Sequence, residues 1–178
     1  MNDTDNYQPK GILLITGTVG SGKTIVAIDV GEQLADMGLP NAVIDLDWLG
    51  WVNVGGKFNE YDQLIMQNVI SMWPNYRVIG VEYLVLARMF LQREPLDFLA
   101  KAFPNTPVTV VRLVASKKTL EKRLSQRDSG ETLREHLGEM ESMNNILDEL
   151  KLEDAVLANE GYSVEEIAKQ TIKITGWK

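Results

Sequence analysis

The residues best suited to chemistry in this 178-residue chain stand near its start, in GTVGSGKT, Gly17 to Thr24, which matches the spacing G-x-x-x-x-G-K-[ST]. Glycine at Gly17, Gly20 and Gly22 lets the backbone curl so that amides of Gly17, Thr18, Val19, Gly20, Ser21 and Gly22 point into one concavity. An apolar run, GILLIT (11–16), leads into the segment and an amphipathic helix leads out of it, so the helix dipole adds positive potential to the same point. Such a pocket holds two or more phosphates. Lys23 is placed to bridge the outer ones, and Thr24 to offer its hydroxyl to magnesium. An accidental glycine-rich turn lacks this strand–loop–helix context.

The second group is IDLDWL. Asp45 and Asp47 lie two residues apart, hence on one face of a strand at its carboxyl end, and in an open parallel sheet that edge is where ligands sit. If this strand lies near the first, one carboxylate helps to hold magnesium. The other accepts the proton of a hydroxyl that attacks a γ-phosphate. We assign Asp45 to the metal side and Asp47 to the base. The spacing leaves the two roles exchangeable, and either residue singly could merely cap the following loop. No Asp or Glu closes the apolar runs that end at positions 87 and 114, where a hydrolysis-driven motor keeps its acids; the first leads into Arg88. Transfer to a small acceptor therefore fits better than hydrolysis-driven work.

Between Arg112 and Arg134 there are seven basic residues and three acidic ones, an excess that calls for an anion. In TLEKRLSQRD, Leu120 and Leu124 mark a buried stripe, while Arg123 and Arg127 fall one turn apart. One guanidinium can stack on a purine while the other clamps a phosphate during transfer; a solvated face paired with Glu121 or Asp128 is the plainer alternative. The charged stretch around Gly130 offers little to bury, so residues 126–138 are expected to form a mobile lid that excludes water. His136 stands alone and reads as a lid or helix-surface residue. At ANEGYS, Asn159 lies where backbone groups could read an adenine edge, or where Asn159 and Gly161 simply form a turn.

For the acceptor, the stretch after Asp47, WLGWVNVGGKFNEYD, is long and without helical period, and loops of this kind in a compact domain are usually functional. Trp48 and Trp51 could wall a substrate pocket, with Arg77 and Arg88 supplying charge. Equally, both indoles could pack on the sheet, leaving the arginines in surface pairs. The methionines Met66, Met72, Met140 and Met143 read as core filler.

These residues need a scaffold, and the chain supplies one. Aliphatic runs at 11–16, 42–46, 83–87, 108–114 and 154–158 alternate with segments of helical period, the pattern of a parallel sheet covered on both faces. Helices are expected after the phosphate loop, closing at Gly38, and over 60–73, where Pro74 should end or kink the helix. Others are expected near 95–102, 117–128 and 131–150, and from Ser163 with Glu166 in a capping box. Residues 1–9 read as a frayed, disordered lead-in to one domain over 10–178.

Composition narrows the class further. The 44% of hydrophobic residues is enough for a core and too much for disorder. A net charge of −7 opposes sequence-independent attraction to nucleic acid or an anionic membrane. Without cysteine there are no disulfides or thiolate ligands, and the polar, acidic N-terminus is unlike a signal peptide. A cytoplasmic protein is expected.

Taken in order, GTVGSGKT, IDLDWL, LEKRLSQRD and LANEGYSVEEIA resemble the nucleoside-monophosphate-kinase-like branch of P-loop kinases over residues 11–177. That branch includes adenylylsulfate, gluconate and shikimate kinases and chloramphenicol phosphotransferases. The resemblance implies an α/β P-loop fold with a five-stranded sheet in the order 2-3-1-4-5 and a short helical lid. It further implies ATP with Mg2+ and transfer of the γ-phosphate to a small hydroxyl-bearing molecule. Asp45 and Asp47 match the strand 2 acids, and Arg123 and Arg127 the lid-helix arginines. The acceptor signatures depart: Leu46 replaces the glycine of DGD, Asp128 and Ser129 follow the arginine pair, and Ala87, Arg88 and Met89 replace a glycine triplet. The nearest comparison is to adenylylsulfate-kinase-like proteins. A nucleotide-binding regulatory module without kinase activity, or a kinase of nucleic-acid ends, are the rival expectations, and ATP against GTP is open.

Overall fold

The structure, a computed structural model, describes residues 8–54 and 61–178. Five strands, β1 (Gly11–Thr16), β2 (Asn41–Asp45), β3 (Tyr83–Ala87), β4 (Val108–Val114) and β5 (Ala155–Ala158), form one sheet in the order β2-β3-β1-β4-β5. Every pairing is parallel. Six α-helices and a single 3-10 turn (Leu46–Leu49, just after β2) complete the described chain: α1 (Lys23–Asp36), α2 (Asp62–Val78), α3 (Glu94–Ala102), α4 (Lys117–Arg127), α5 (Gly130–Leu150) and α6 (Val164–Thr175).

The register decides where function can sit. Gly11 and Asn41 both align with Tyr83, and Ile15 and Asp45 both align with Ala87. The three strands therefore end level, which brings the phosphate loop, the Asp45–Asp47 turn and Arg88 to one edge. All six residues of β1 are buried because helices cover it on both sides. On one face Ile12, Leu14, Leu84 and Leu86 meet Ile65, Met66, Val69 and Trp73 of α2 and Leu99 of α3. On the other, Leu13, Ile15, Val85 and Val111 meet Val26, Val30 and Leu34 of α1 and Ile167 and Ile172 of α6. A third cluster joins Leu120 and Leu124 of α4 to Met140 of α5, and Val19 of the phosphate loop packs against it. The arginine helix is thus bonded by apolar contact to the loop it serves.

Several expectations need correction. α2 does not end at Pro74 but runs to Val78. Trp73 is buried and Tyr76 packs on the same cluster, and that burial outweighs the one helical hydrogen bond the proline nitrogen cannot donate. Residues 126–138, by contrast, keep to the helices expected near 117–128 and 131–150. They are the end of α4, a two-residue joint at Asp128–Ser129, and the start of α5 at Gly130, whose φ of 61° turns the chain between the helices. Of the supposed frayed lead-in, Gln8 accepts a hydrogen bond from the Asn105 amide at 2.9 Å, and Pro9 is buried with its carbonyl bonded to the Thr106 hydroxyl; residues 1–7 lie outside the described residues. So do 55–60, with the glycine pair of the acceptor loop. The Ser163–Glu166 capping box is present, and Gly38 closes α1 with φ 74°.

Candidate active site

The phosphate loop takes its shape from three glycines and from side chains behind it. Gly17, Gly20 and Gly22 have φ of 139°, 78° and 94°, the region L side chains avoid. At Gly22 a Cβ would also stand 2.5 Å from Asn159 Nδ2. That amide donates to the Ser21 carbonyl at 2.6 Å, and Arg123 donates to the carbonyls of Asn159 at 2.6 Å and Gly20 at 3.3 Å. Because a trans peptide points its C=O and N–H in opposite directions, fixing the Ser21 carbonyl behind the loop turns the Gly22 N–H toward the concave side. Asn159 is therefore more than a bare turn former; its buried side chain latches the loop. Arg123 does the same work with its guanidinium. Replacing Asn159 by Ala leaves the Ser21 carbonyl with only the long 3.5 Å hydrogen bond from Arg123, a loss of about 1–3 kcal/mol for a buried group. We expect a lower melting temperature and nucleotide affinity weakened roughly tenfold, measured by calorimetry; unchanged affinity would show that the loop holds its shape without the latch.

Lys23 begins α1, and its ammonium donates to the Thr18 carbonyl at 3.2 Å. Burial lowers its pKa from 10.5 to about 8, with Asp47 and Asp45 opposing the shift. A polyphosphate beside it favours the charged form and raises that pKa again. Nucleotide binding just above pH 8 should therefore take up a proton, and affinity should fall as pH climbs past about 8. Calorimetry in buffers of different ionisation heat reads this uptake directly, and heats independent of buffer would contradict it. The same shift makes the empty protein more stable as pH rises from about 8 toward 10.5, where the unfolded chain holds the proton and the folded one does not.

Beside it, the Thr24 hydroxyl donates to Asp45 Oδ2 at 2.7 Å, while Asp45 Oδ1 accepts from the Asp47 amide. Hydroxyl and carboxylate oxygens are the hard donors that magnesium prefers, and magnesium typically adds phosphate oxygens and water to one or two carboxylates. The donor set fits. Among the described residues there is no cluster of three His, Cys, Asp or Glu that could hold a metal ion.

Asp47 is not alone. Its Oδ1 accepts from Arg88 Nη1 at 2.5 Å, and Arg88 Nε and Nη2 donate to Asp62 Oδ1 at 3.2 and 2.7 Å. Arg88 is 3% exposed and Asp62 1%, so Arg88 is not in a surface pair. Burial pushes the Asp62 carboxyl above its ordinary range against the opposing pull of Arg88. Breaking so buried a pair costs about 3–5 kcal/mol, which makes it a rigid strut behind Asp47. Asp62 carried no signal in sequence beyond a first-turn acid on α2.

Arg127, one turn beyond Arg123, forms a two-pronged pair with Asp128 at 2.7 and 2.9 Å; His136 Nδ1 lies 2.7 Å from the same carboxylate. Arg127 and His136 together hold the Asp128 pKa at about 2. Arg112, by contrast, is buried against Asp148 at 2.8 Å, so part of the basic excess is structural. Trp48 and Trp51 do not pack on the sheet. They stack on each other with centroids 5.1 Å apart and remain 70% and 67% exposed, one residue beyond Asp47. Arg77 is in the wrong place for a substrate. It ends α2 and lines a hollow with Lys10, Gly80 and Glu82 at the opposite edge of the sheet.

Two hollows meet at the phosphate loop. One, of about 340 Å³, is lined by Gly22, Ile25 and Arg123; the other, of about 260 Å³, by Asp47, Met89, His136, Glu139 and Met143. Both share Gly20, Lys23, Thr24 and Arg127. Met143 thus faces the site, whereas Met66 and Met140 are core. Glu139 and Met143 were missed, although His136, Glu139 and Met143 keep the helical spacing of a single face.

The sequence matches no protein-family model and no curated protein. Solved structures do match. The APS kinase of Mycobacterium tuberculosis, in complex with AMPPNP and APS, is 18% identical with a TM-score of 0.64, covering 95% of this chain and 99% of that one. A gluconokinase from Sinorhizobium meliloti 1021 is 18% identical, TM-score 0.63, over 93% and 91% of the two chains. A shikimate kinase from Bacteroides thetaiotaomicron is 16% identical, TM-score 0.63, over 94% and 99%. Identity this low speaks for architecture, and that architecture, a 2-3-1-4-5 parallel sheet with a phosphate loop after its central strand, is the fold of the P-loop kinases.

Proposed function

We propose that this protein is a magnesium-dependent phosphotransferase that moves the γ-phosphate of ATP to a hydroxyl of a small molecule, in the manner of adenylylsulfate-kinase-like enzymes. One observation carries the reading: two hollows meet at Lys23, Thr24 and Arg127, one backed by the loop latch and the other by Asp47. A pure nucleotide sensor needs only the first. In the first, the loop amides hold the phosphate tail beside Arg123. In the second, Asp47, braced by Arg88 and Asp62, faces the attacking hydroxyl and accepts its proton. Lys23 and Arg127 sit where the two spaces join and neutralise charge on the group in transit. Thr24 and Asp45 would hold magnesium, which would supply positive charge to offset that of the phosphates.

The kinase names of the solved structures of like fold support the same class. No described helix is long and apolar enough to cross a membrane, and the reading places the enzyme in the cytoplasm with its ATP. The test is a coupled ADP-release screen over hydroxyl compounds. Acceptor-stimulated ADP formation with a phosphorylated product supports the proposal, and tight ATP binding with no acceptor dependence supports a regulatory module instead. The exposed Trp48–Trp51 stack is the one feature favouring nucleic-acid ends, since bases stack on such platforms; salt-sensitive oligonucleotide binding would reveal it.

A further inference from the structure

The hollow on the Asp47 side carries a charge pattern that phosphate transfer alone does not require. Beyond the loop its walls are Asp47, Met89, Arg127, His136, Glu139 and Met143. The cations around it are already engaged. Arg88, behind Asp47, is answered by two carboxylates, and Arg127 by Asp128, while Lys23 is needed by the phosphates. Glu139 is exposed on α5 and makes no ion pair among the described residues. Met89 is buried and Met143 half-buried, so the hollow that Glu139 lines also has polarizable apolar wall. A carboxylate, sulfate or phosphate on the acceptor would meet Asp47 and Glu139 there, and like charges brought together select against such a partner.

Resting on the kinase reading above, we infer that the acceptor is a hydroxyl compound bearing a protonated amine: Glu139 pairs the ammonium, Met89 and Met143 cover the hydrocarbon, and Asp47 faces the hydroxyl. In the transfer the hydroxyl oxygen forms the new bond to the γ-phosphorus as the bond to the β–γ bridging oxygen breaks. ADP leaves with that electron pair, and the hydroxyl proton passes to Asp47. Glu139 takes no part in the bond changes; it selects the acceptor.

The experiment uses the full chain with methyl-labelled methionine, loaded with magnesium and a non-hydrolysable ATP analogue. Two matched sets are titrated while the Met89 and Met143 signals are followed by NMR: glucosamine, glucose and gluconate, then 2-deoxystreptamine, inositol and quinate. In each set the amine is expected to bind about fivefold or more tighter than the neutral member, the scale of one partly exposed ion pair, and the acid weakest. Glu139→Gln should erase the preference with analogue affinity unchanged, while Glu135→Gln, on the same helix outside the hollow, should keep it. Three results overturn the inference: an acid that binds as well as its amine, a preference that survives in Glu139→Gln, or no methyl response to any of the six while the analogue is bound. Failure of the analogue itself to bind defeats the nucleotide reading instead.

Discussion

Replacing Lys23 by Ala is expected to lower kcat/KM for ATP by about a thousandfold, the loss typical of removing one preorganised donor from a charged transition state together with some ground-state binding. The fold should survive. Lys23 opens α1 as a half-buried residue, the helix is held by Val26, Val30 and Leu34 beneath it, and Ala is a better helix former than Lys. Since the wild-type ammonium is buried at a cost that lowers its pKa, the variant should melt no lower than wild type. Circular dichroism and melting temperature check the fold, and a steady-state assay checks the rate. Turnover within tenfold of wild type would remove Lys23 from the mechanism, whatever the melting curve shows.

Replacing Asp47 by Asn is expected to reduce kcat by about a hundredfold to ten-thousandfold, the range assigned to a positioned general base, with ATP affinity changed little. The separation follows from the geometry. Asp47 lines only one of the two hollows, whereas Gly20, Lys23 and Thr24 also line the one proposed for the nucleotide. Asn can still accept from Arg88, so the strut from Asp62 stays in place while the proton acceptor is lost. Equal losses in kcat and in ATP affinity would instead mark Asp47 as part of the phosphate or metal site, exchanging its role with Asp45. The Thr24–Asp45 hydrogen bond is the reason we assign them as we do.

The contrast between Lys23 and Arg88 shows what could be read without coordinates. The phosphate loop is contiguous, so its glycines, its lysine and its threonine carry their geometry in their own spacing. The strands were legible for a related reason: a run such as GILLIT that is buried on both faces must be apolar throughout. Arg123 and Asn159 could be singled out by residue type and position, but not their bonds to the phosphate loop. Arg123 bonds to Gly20, 103 residues away, and Asn159 to Ser21, 138 away. Hydrogen-bond partners at that separation leave no periodic trace.

Arg77 illustrates the opposite limit. As a residue type it suits an anionic substrate as well as Arg88 does, yet α2 continues through Pro74 and delivers it to the far edge of the sheet. Which end of a strand a helix terminus reaches depends on helix length, and that length was decided by the burial of Trp73, a tertiary contact, against a local proline signal. The Trp48–Trp51 stack is similar: two indoles in a loop look like core until the sheet is seen to be already covered.

By itself the sequence determined the parallel α/β fold, the phosphate loop and the pair of acids at the end of β2, because each rests on local spacing and on one-dimensional apolar pattern. Only the tertiary structure decided that Asp62 braces Arg88 behind Asp47, that Asn159 latches the loop, and that Glu139 and Met143 line the hollow beside Asp47. Those residues meet through strand order and helix packing, and the chain brings them together only after the sheet has closed over its core.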